Sequence, residues 1–282
     1  MRQSRCLRKF HLALQSLPVI PRRAKPGGRV KRPEESKNPL EFVVPMVKRN
    51  LIRAAIVASL LFLFVSVSFA ATTKTYIEKM SGWASCSVCA GAGGAGATIP
   101  HSMTQGITSP TLGSRSAQFS VGGSSSYGAA LWWKQLGASS TAHNFQYDVD
   151  YYLKNPSASQ ALEFDVNQSV GGKKFVFGTQ CNIAAHTYDV WSAATHWIHT
   201  GISCARPAAY KWNHITLEFQ RTSGNNVKFV SVTINGSKHY INRIYAPKAS
   251  SVSELNVAFQ MDGNKSMTDY NAWLENVTLK YW

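Results

Sequence analysis

The feature that most constrains the fold is a series of short segments, from Leu131 onwards, in which apolar and polar residues alternate. In residues 145–153 the odd positions are apolar and the polar side chains take the other face, and residues 214–220 and 255–261 repeat the pattern. Clusters of Gly, Asn, Asp and Pro separate these segments, and no long segment shows helical spacing. A period of two is typical of a strand with one buried face. Strands at this spacing without intervening helices predict an all-β antiparallel sandwich.

An apolar segment, residues 51–70, lies ahead of this region and follows a basic stretch. Its composition, and the small residues Ser68 and Ala70 at its end, are typical of a secretory signal with a peptidase site. We expect a signal peptide over residues 46–70, preceded by a basic extension over residues 1–45 that would arise if the true start is Met46. Cleavage would make the protein secreted, periplasmic or exposed at the cell surface. The alternative is an uncleaved signal anchor over residues 51–70, since about 20 apolar residues can span a bilayer.

The distribution of charge argues against nucleic acid as a partner. The whole chain carries a net charge of +16, which by itself would suggest binding to nucleic acid. Residues 1–70 hold 14 of the 30 Lys and Arg but only 3 of the 14 Asp and Glu, so removing them leaves +5. Basic residues beside a leader serve membrane orientation. We therefore expect no nucleic-acid partner, and membrane contact only through an uncleaved leader.

The chain after the leader is long enough for one β-sandwich with a sizeable core. Residues 71–126 are rich in Gly, Ser, Thr and Ala and only weakly periodic, which predicts an N-terminal arm wrapped around the sandwich. Residues 127–282 are then the sandwich domain itself.

Four cysteines follow the leader, and an even number in an exported chain indicates disulfides. Proximity in sequence favours Cys86 with Cys89 and Cys181 with Cys204. A redox or zinc role for Cys86 and Cys89 is disfavoured, because the following Ala/Gly-rich residues are poor helix formers and no second pair of this spacing is present.

Residues 161–168, with the sequence ALEFDVNQ, resemble the catalytic strand of laminarinase and lichenase-type glycoside hydrolases. Residues 211–236 are similar to a hairpin of concanavalin-A-like and laminin-G-like domains, and residues 273–279 resemble the last strand of those domains. Together these motifs indicate a resemblance to the concanavalin-A-like lectin/glucanase superfamily over residues 127–282. The resemblance implies a jelly-roll sandwich that binds a polysaccharide or glycan.

The same resemblance places Glu163 at the nucleophile position and Asp165 at the supporting position of such a catalytic strand. The final acidic position is filled by Asn167 or Gln168, and an amide cannot protonate a leaving group. We therefore expect a binding site made of these four residues and no catalytic residue. If the protein is an enzyme, Glu163 and Asp165 are the catalytic candidates.

Three interpretations of this strand remain open. The favoured one is a glycan-binding groove without catalysis, because Glu163, Asp165 and Asn167 share one face and can hydrogen-bond sugar hydroxyls. The second is a solvated polar face of a surface adhesion or scaffold domain without a sugar ligand. The third is a divergent glycoside hydrolase or other polysaccharide-degrading enzyme, whose acid would come from elsewhere. The carboxyl groups considered for that acid are those of Glu218, Asp189 and Glu275.

Aromatic side chains are expected to contribute to the binding site, because sugar rings stack on exposed indole and phenol rings. Trp132 is predicted to face outward, and its neighbour Trp133 to lie in the core. Tyr152 shares its strand face with polar residues. Trp191 and Trp197 are predicted to lie in a loop that borders the groove, between the second pair of cysteines.

No cofactor or catalytic metal is predicted. Three histidines, His186, His196 and His199, lack metal-ligand spacing and are interpreted as exposed loop residues. Residues 262–264 could contribute to a structural calcium site of the kind that related lectin folds carry, but they do not supply a full set of oxygen ligands. The default interpretation of this segment is a turn.

Overall fold

The computed structural model describes residues 70–91 and 94–282, which form two antiparallel β-sheets packed face to face. The predicted basic extension and all of the predicted leader except Ala70 lie outside the described residues. Among the residues described, no helix is long and apolar enough to cross a membrane.

Sheet A has eight strands, numbered here in chain order through both sheets. Its long central strands pair in register along most of their length, so that one face of the sheet packs on the core and the other faces outward. In spatial order its strands are β14 (Ser237–Tyr245), β13 (Val227–Ile234), β12 (Lys211–Arg221), β6 (Asn144–Leu153), β17 (Tyr270–Tyr281), β4 (Ser116–Val121) and β3 (His101–Ile107), with β1 (Thr72–Lys74) paired to β17.

Sheet B has nine strands and carries the candidate site on its outer face. In spatial order they are β11 (His196–Ser203), β10 (Thr187–Ser192), β9 (Thr179–Asn182), β7 (Ser159–Val170), β16 (Glu254–Gly263), β5 (Ala129–Gln135) and β2 (Trp83–Cys86), with β8 (Lys173–Phe177) paired to β7 and β15 (Lys248–Ala249) paired to β8. Two short 3-10 helices, Ile77–Lys79 and Pro156–Ala158, connect strands.

The core between the sheets is built from the apolar halves of the alternating strands. On β6 the odd residues, from Phe145 to Leu153, are buried, as the period of two predicts. Aromatic rings join the layers: the Phe164 ring of sheet B lies 5.5 Å from the Tyr151 ring of sheet A, centroid to centroid. Such contacts bury large apolar areas and add the favourable edge and tilted geometries of aromatic pairs. The predicted all-β antiparallel jelly-roll sandwich is confirmed.

Residues 71–126, predicted as an arm, instead supply β1 to β4 and so belong to both sheets. Within β4, Phe119 is fully buried, and its ring lies 5.2 Å from the Trp132 ring and 5.1 Å from the Phe259 ring. Because the residues around Phe119 are small, the alternation of buried and exposed positions in β4 cannot be recognised from hydrophobicity alone. The sandwich therefore begins near residue 72, and the predicted boundary at residue 127 is corrected.

Both predicted disulfides are confirmed. Cys86–Cys89 closes the turn that follows β2. Cys181–Cys204 joins β9 to the residue after β11, which ties together the edge of sheet B beside the candidate site.

Candidate functional site

The candidate site is a cleft on the outer face of sheet B, centred on β7. Leu162, Phe164 and Val166 point into the core, so the residues that alternate with them point outward, as predicted. The cleft has two lobes, and both Gly91 and Trp197 line each of them. The first, called the lysine lobe, has a volume of about 340 Å³ and is lined by Glu163, Asp165, Asn167, Lys174, Trp191, Lys248 and Gln260 among others. The second, called the histidine lobe, has a volume of about 460 Å³ and is lined by Gln180, Asn182, Asp189, His199 and Asp262 among others.

Two carboxyl groups lie side by side between the lobes. Glu163 on β7 is opposite Gln260 on the neighbouring strand β16, and Asp262 follows two residues later on the same face. The Gln260 amide donates to Glu163 Oε1 and, at 2.9 Å, to Asp262 Oδ1. The Gly91 N–H donates to the oxygen of the same amide, Gln260 Oε1, at 3.3 Å. A single amide therefore holds both carboxyl groups together.

The electrostatics of this pair favour a bound proton. Burial raises the pKa of Glu163 well above 4.5, and the nearby Asp262 and Asp165 carboxylates raise it further. Burial likewise raises the pKa of Asp262 to about 6, although hydrogen bonds from Gln260 and Glu163 oppose the shift. Desolvation and like charge both disfavour the ionised form. The raised pKa of Glu163 favours its protonated form, which donates a hydrogen bond to the Asp262 carboxylate.

The next two polar residues of β7 extend the row along the lysine lobe. Asp165 accepts a hydrogen bond from the Thr179 N–H at 3.0 Å, and burial raises its pKa to about 7 despite that bond. Asn167 is nearly buried and donates from Nδ2 to Asn256 Oδ1 at 3.1 Å. The floor of this lobe thus presents a carboxylic acid, a carboxyl that titrates near neutrality and an amide.

The histidine lobe contains an aspartate–histidine pair. Asp189 on β10 is fully buried and accepts from Gln180 at 2.8 Å and from Asn182 at 3.2 Å. Its other oxygen lies 2.7 Å from His199 Nδ1, which fixes the orientation of an exposed imidazole on β11. The arrangement leaves His199 Nε2 directed away from its anchoring carboxylate.

The two predicted groove tryptophans do line the cleft. Trp191 on β10 and Trp197 on β11 are directly opposite in the ladder, with ring centroids 5.1 Å apart in an edge-on arrangement. One side of the Trp191 indole is covered by His196, whose ring is parallel at 4.9 Å. The predicted loop between the cysteines is in fact strands β9, β10 and β11, so these rings stand on a sheet edge. Strands hold aromatic side chains more rigidly than a loop would.

The prediction for Trp132 is wrong. Its side chain is 1% exposed and lies in the core, stacked 6.3 Å from the Phe259 ring. Trp133 takes the outward face instead, together with Leu131, which lines the lysine lobe. Two adjacent tryptophans have equal hydrophobicity, so local pattern cannot decide which one faces inward; the register with β16 decides it.

Tyr152 and Gln168 also lie away from the cleft. Tyr152 is on the outer face of sheet A, between the Trp212 and Trp273 rings at 5.4 and 5.7 Å. Gln168 is fully buried on the core side of β7, where its amide donates to the carbonyl oxygens of Ser139 and Ala142. These two residues are removed from the predicted binding set.

Of the three carboxyl groups considered as an alternative acid, only Asp189 reaches the cleft. Glu218, on sheet A, is bound by Lys238 at 2.6 Å and by the Ser231 hydroxyl. Glu275, also on sheet A, accepts from the backbone N–H groups of Leu112 and Ser114 at 2.6 and 2.9 Å. Both carboxylates are engaged in structural contacts on the opposite sheet.

The segment interpreted as a turn or a calcium loop is divided between two roles. Asp262 is a strand residue of the carboxyl pair, whereas Asn264 organises the loop that follows by accepting from the Ser266 and Thr268 N–H groups. Across the described residues, no group of three or more His, Cys, Asp or Glu side chains has the geometry to hold a metal ion.

Sequence reasoning missed Gln260 and Asp262 as site residues, and it also missed the lysines of the first lobe. Period-two alternation does put Gln260 on the polar face of its strand. Its pairing with Glu163 joins residues 97 positions apart, and no local signal in the chain specifies that partner.

No protein-family model matches the chain, and no curated protein matches it significantly. Among solved structures it is similar to a carbohydrate esterase from the Shiga toxin-encoding bacteriophage phi24B, at 13% identity and a TM-score of 0.44 over 75% of this chain and 99% of that one. It is also similar to the cellulose-induced protein Cip1, at 14% and 0.43 over 70% and 90%. Peanut lectin in complex with a 9-mer peptide matches at 10% and 0.42 over 76% and 99%. Similarities this distant leave the chemistry of the cleft as the basis for any conclusion about function.

Proposed function

We propose that the protein is an exported carbohydrate-binding β-sandwich and that the cleft of sheet B binds a polysaccharide or glycan. The observation that carries this proposal is the combination of a polar floor, formed by Glu163, Asp165 and Asn167, with the indole wall of Trp191 and Trp197. Sugars present hydroxyl groups that donate and accept hydrogen bonds and ring faces that are apolar. A concave site with a few convergent polar groups and aromatic walls suits both features.

The protonation of the floor supports a sugar ligand. A neutral Glu163 carboxyl and the Asn167 amide can hydrogen-bond hydroxyl groups without the desolvation cost of a full charge. Asp165 offers an acceptor that gains charge above about pH 7. Glu163, Asp165 and Asn167 are already held by hydrogen bonds with Gln260, Thr179 and Asn256, so the site is preorganised and a ligand orders few side chains.

Export is proposed from the sequence of residues 46–70, with cleavage after Ala70. Edman or mass-spectrometric determination of the N-terminus of the exported protein tests it. A mature chain that begins near residue 71 is the expected result. An intact N-terminus on a membrane-bound form would instead favour the anchor over residues 51–70.

Glycan binding is tested with matched tryptophan variants. Trp197→Ala removes a wall of the cleft, whereas Trp212→Ala removes a partly exposed indole from the outer face of sheet A. On a glycan array and by calorimetry, we expect the first variant to bind roughly 30-fold more weakly, because central aromatic contacts contribute about 2 kcal/mol. The second variant should bind as the unchanged protein does, and thermal unfolding checks that both fold. Equal binding by all three proteins would contradict the assigned site.

The second candidate function is a divergent glycoside hydrolase that uses Glu163. The specific feature in its favour is a buried carboxyl group in the cleft whose pKa is raised by burial, since a general acid must hold its proton. Glu163 and Asp262 accept from the same amide and hold a proton as a pair. Their carboxyl groups are therefore closer together than the 5–5.5 Å that a retaining enzyme needs between its two carboxyl groups. Asp165 or the oriented His199 would then have to activate water.

Release of reducing ends from each glycan that binds distinguishes the two functions. Binding without release supports the proposed function. Release that is abolished in Glu163→Gln, while binding is retained, would establish the hydrolase instead. The amide keeps the size of the side chain and its hydrogen bonds but cannot protonate a leaving group.

A further inference from the structure

Two lysines face each other across a strand pair at one end of the cleft. Lys248 on β15 is directly opposite Lys174 on β8, and both line the lysine lobe. Like charges directly opposite in an antiparallel pair destabilise the pair. A sequence that places them there needs a compensating anion nearby.

The protein supplies only part of that compensation. Glu254 lies 3.3 Å from Lys174 Nζ, and the same carboxylate also accepts from Gln135 at 2.8 Å and from Ser169 at 3.3 Å. Burial alone would raise the pKa of Glu254, but the Gln135 hydrogen bond and Lys174 lower it, so one negative charge is present. Within the described part of the chain, Lys248 forms no ion pair. Glu254 therefore compensates the charge of Lys174, and the charge of Lys248 is left without a described carboxylate partner.

Lys248 lies beside the indole ring of Trp191 instead. Lys248 Nζ lies 5.6 Å from the centroid of the Trp191 ring. A cation over an indole gains some electrostatic stabilisation and keeps its charge available to a further partner. A ligand seated on this wall therefore meets a positive charge that no described carboxylate neutralises.

We propose that the ligand of this cleft is an anionic polysaccharide, with a carboxylate or sulfate group seated between Lys248 and Lys174 at the Trp191 end. The inference rests on the proposed function and names the substrate class of the same site. Glu163 and Asp165 also line the lysine lobe, but burial raises the pKa values of both and so reduces the negative charge that an anionic ligand meets there, and Asp262 lies in the other lobe.

The test uses pairs of glycans that share a backbone and differ in charge. Polygalacturonate is compared with its methyl ester, carboxymethyl cellulose with hydroxyethyl cellulose, and κ-carrageenan with agarose, by affinity electrophoresis and calorimetry on the whole protein. The first two pairs probe a carboxylate and the third a sulfate. In at least one pair we expect the charged member to bind about tenfold more tightly, since a charge-assisted hydrogen bond has about that effect. The difference should shrink as the salt concentration rises.

Matched lysine variants assign the effect to the cleft. Lys248→Gln should lose about tenfold in affinity for the charged glycan and much less in affinity for its neutral partner, so that the preference for charge falls. Lys173→Gln, the control, removes the same charge from the adjacent exposed position of β8, which does not line the cleft. It should bind both members as the unchanged protein does. Neither variant alters an ion pair within the described residues, so both are expected to fold.

The possible outcomes separate this inference from the proposed function. Preference for a charged glycan that depends on Lys248 supports both. Equal binding of the charged and neutral members, unaffected by Lys248→Gln, overturns the anionic ligand and leaves carbohydrate binding intact. Absence of binding to every member, together with a glycan array that shows no ligand, overturns both.

Discussion

The outer faces of the two sheets are built from the same residue types and differ in how their charges are paired. On sheet A, His214 lies between two carboxylates, with Nδ1 2.8 Å from Asp150 Oδ1 and Nε2 3.7 Å from Asp148 Oδ1. Thr216 and Asn276 donate to these two carboxylates at 2.6 and 2.9 Å. On sheet B, the Glu163 and Asp262 carboxyl groups lie side by side, and no described cation lies between them.

The pKa shifts record this difference. On sheet A, burial alone would raise the pKa values of Asp148 and Asp150, but hydrogen bonds from His214 and its neighbours lower them. The same carboxylates raise the pKa of His214 to about 9. On sheet B, burial and like charge raise the pKa of Glu163 and its neighbours instead. The charged groups on the outer face of sheet A thus pair with one another. The face of sheet B instead keeps buried carboxyl groups side by side, a destabilising arrangement of the kind that clusters at functional sites.

The edges of the two sheets differ as well. The cleft edge of sheet B, strands β9 to β11, is held by Cys181–Cys204, whereas β13 and β14 of sheet A are joined by hydrogen bonds alone. Replacing both cysteines by alanine should lower the free energy of unfolding by about 3 kcal/mol, the chain-entropy value for a loop of this length. Chemical denaturation measures the loss, with Cys86→Ala/Cys89→Ala, which opens a much shorter loop, as the smaller-effect control.

Amide hydrogen exchange in the variant that lacks Cys181–Cys204 shows which strands this disulfide stabilises. Amide protection should fall first in β9 to β11, since the disulfide constrains those strands, and protection in β12 to β14 should fall only with global unfolding. Equal early loss of protection in both sheets would contradict a local role for this disulfide.

The sequence was sufficient for the clearly alternating strands and for the disulfides, because these depend on neighbours in the chain, but it missed β1 to β4 and β9 to β11 and assigned Trp132 to the wrong face. Alternation along β7 placed Glu163 and Asp165 outward correctly, and spacing paired the cysteines. It could not predict that Asp262 lies beside Glu163, because strand partners are chosen by the packing of the whole sandwich. The same limit explains Tyr152, which has the right facing on its strand but belongs to the other sheet.

The Glu163 carboxyl group on sheet B should make the stability of the protein depend on pH. Because the pKa of Glu163 in the folded protein is above its ordinary value of 4.5, the unfolded chain releases this proton at lower pH than the folded one does. Stability therefore falls as pH rises from about 4.5 through the raised folded pKa. Glu163→Gln keeps the hydrogen bonds to Gln260 and Asp262 and cannot ionise. It should raise the free energy of unfolding at pH 8, where the folded protein bears the cost of ionising Glu163, and change it little at pH 4.

Urea denaturation at these two pH values measures the change. Asp148→Asn on sheet A is the matched control and should have the opposite sign at pH 8, since it removes a carboxylate that the fold stabilises. Loss of stability at pH 8 in Glu163→Gln would show that the two faces do not differ in the way their pKa shifts indicate.

The smallest expected change in stability is that of His214→Gln on the outer face of sheet A. The pKa of His214 is raised from 6.5 to about 9, so its contribution to stability is fully present below pH 6.5 and is lost as pH rises through about 9. The variant should be less stable by about 1 kcal/mol at pH 6, a modest value because the side chain is 44% exposed and solvent screens its ion pairs. At pH 10 the variant and the unchanged protein should unfold at nearly the same urea concentration. Glycan affinity should not change, because His214 lies on the sheet that faces away from the cleft; a weaker affinity would mean that the two faces are coupled through the core.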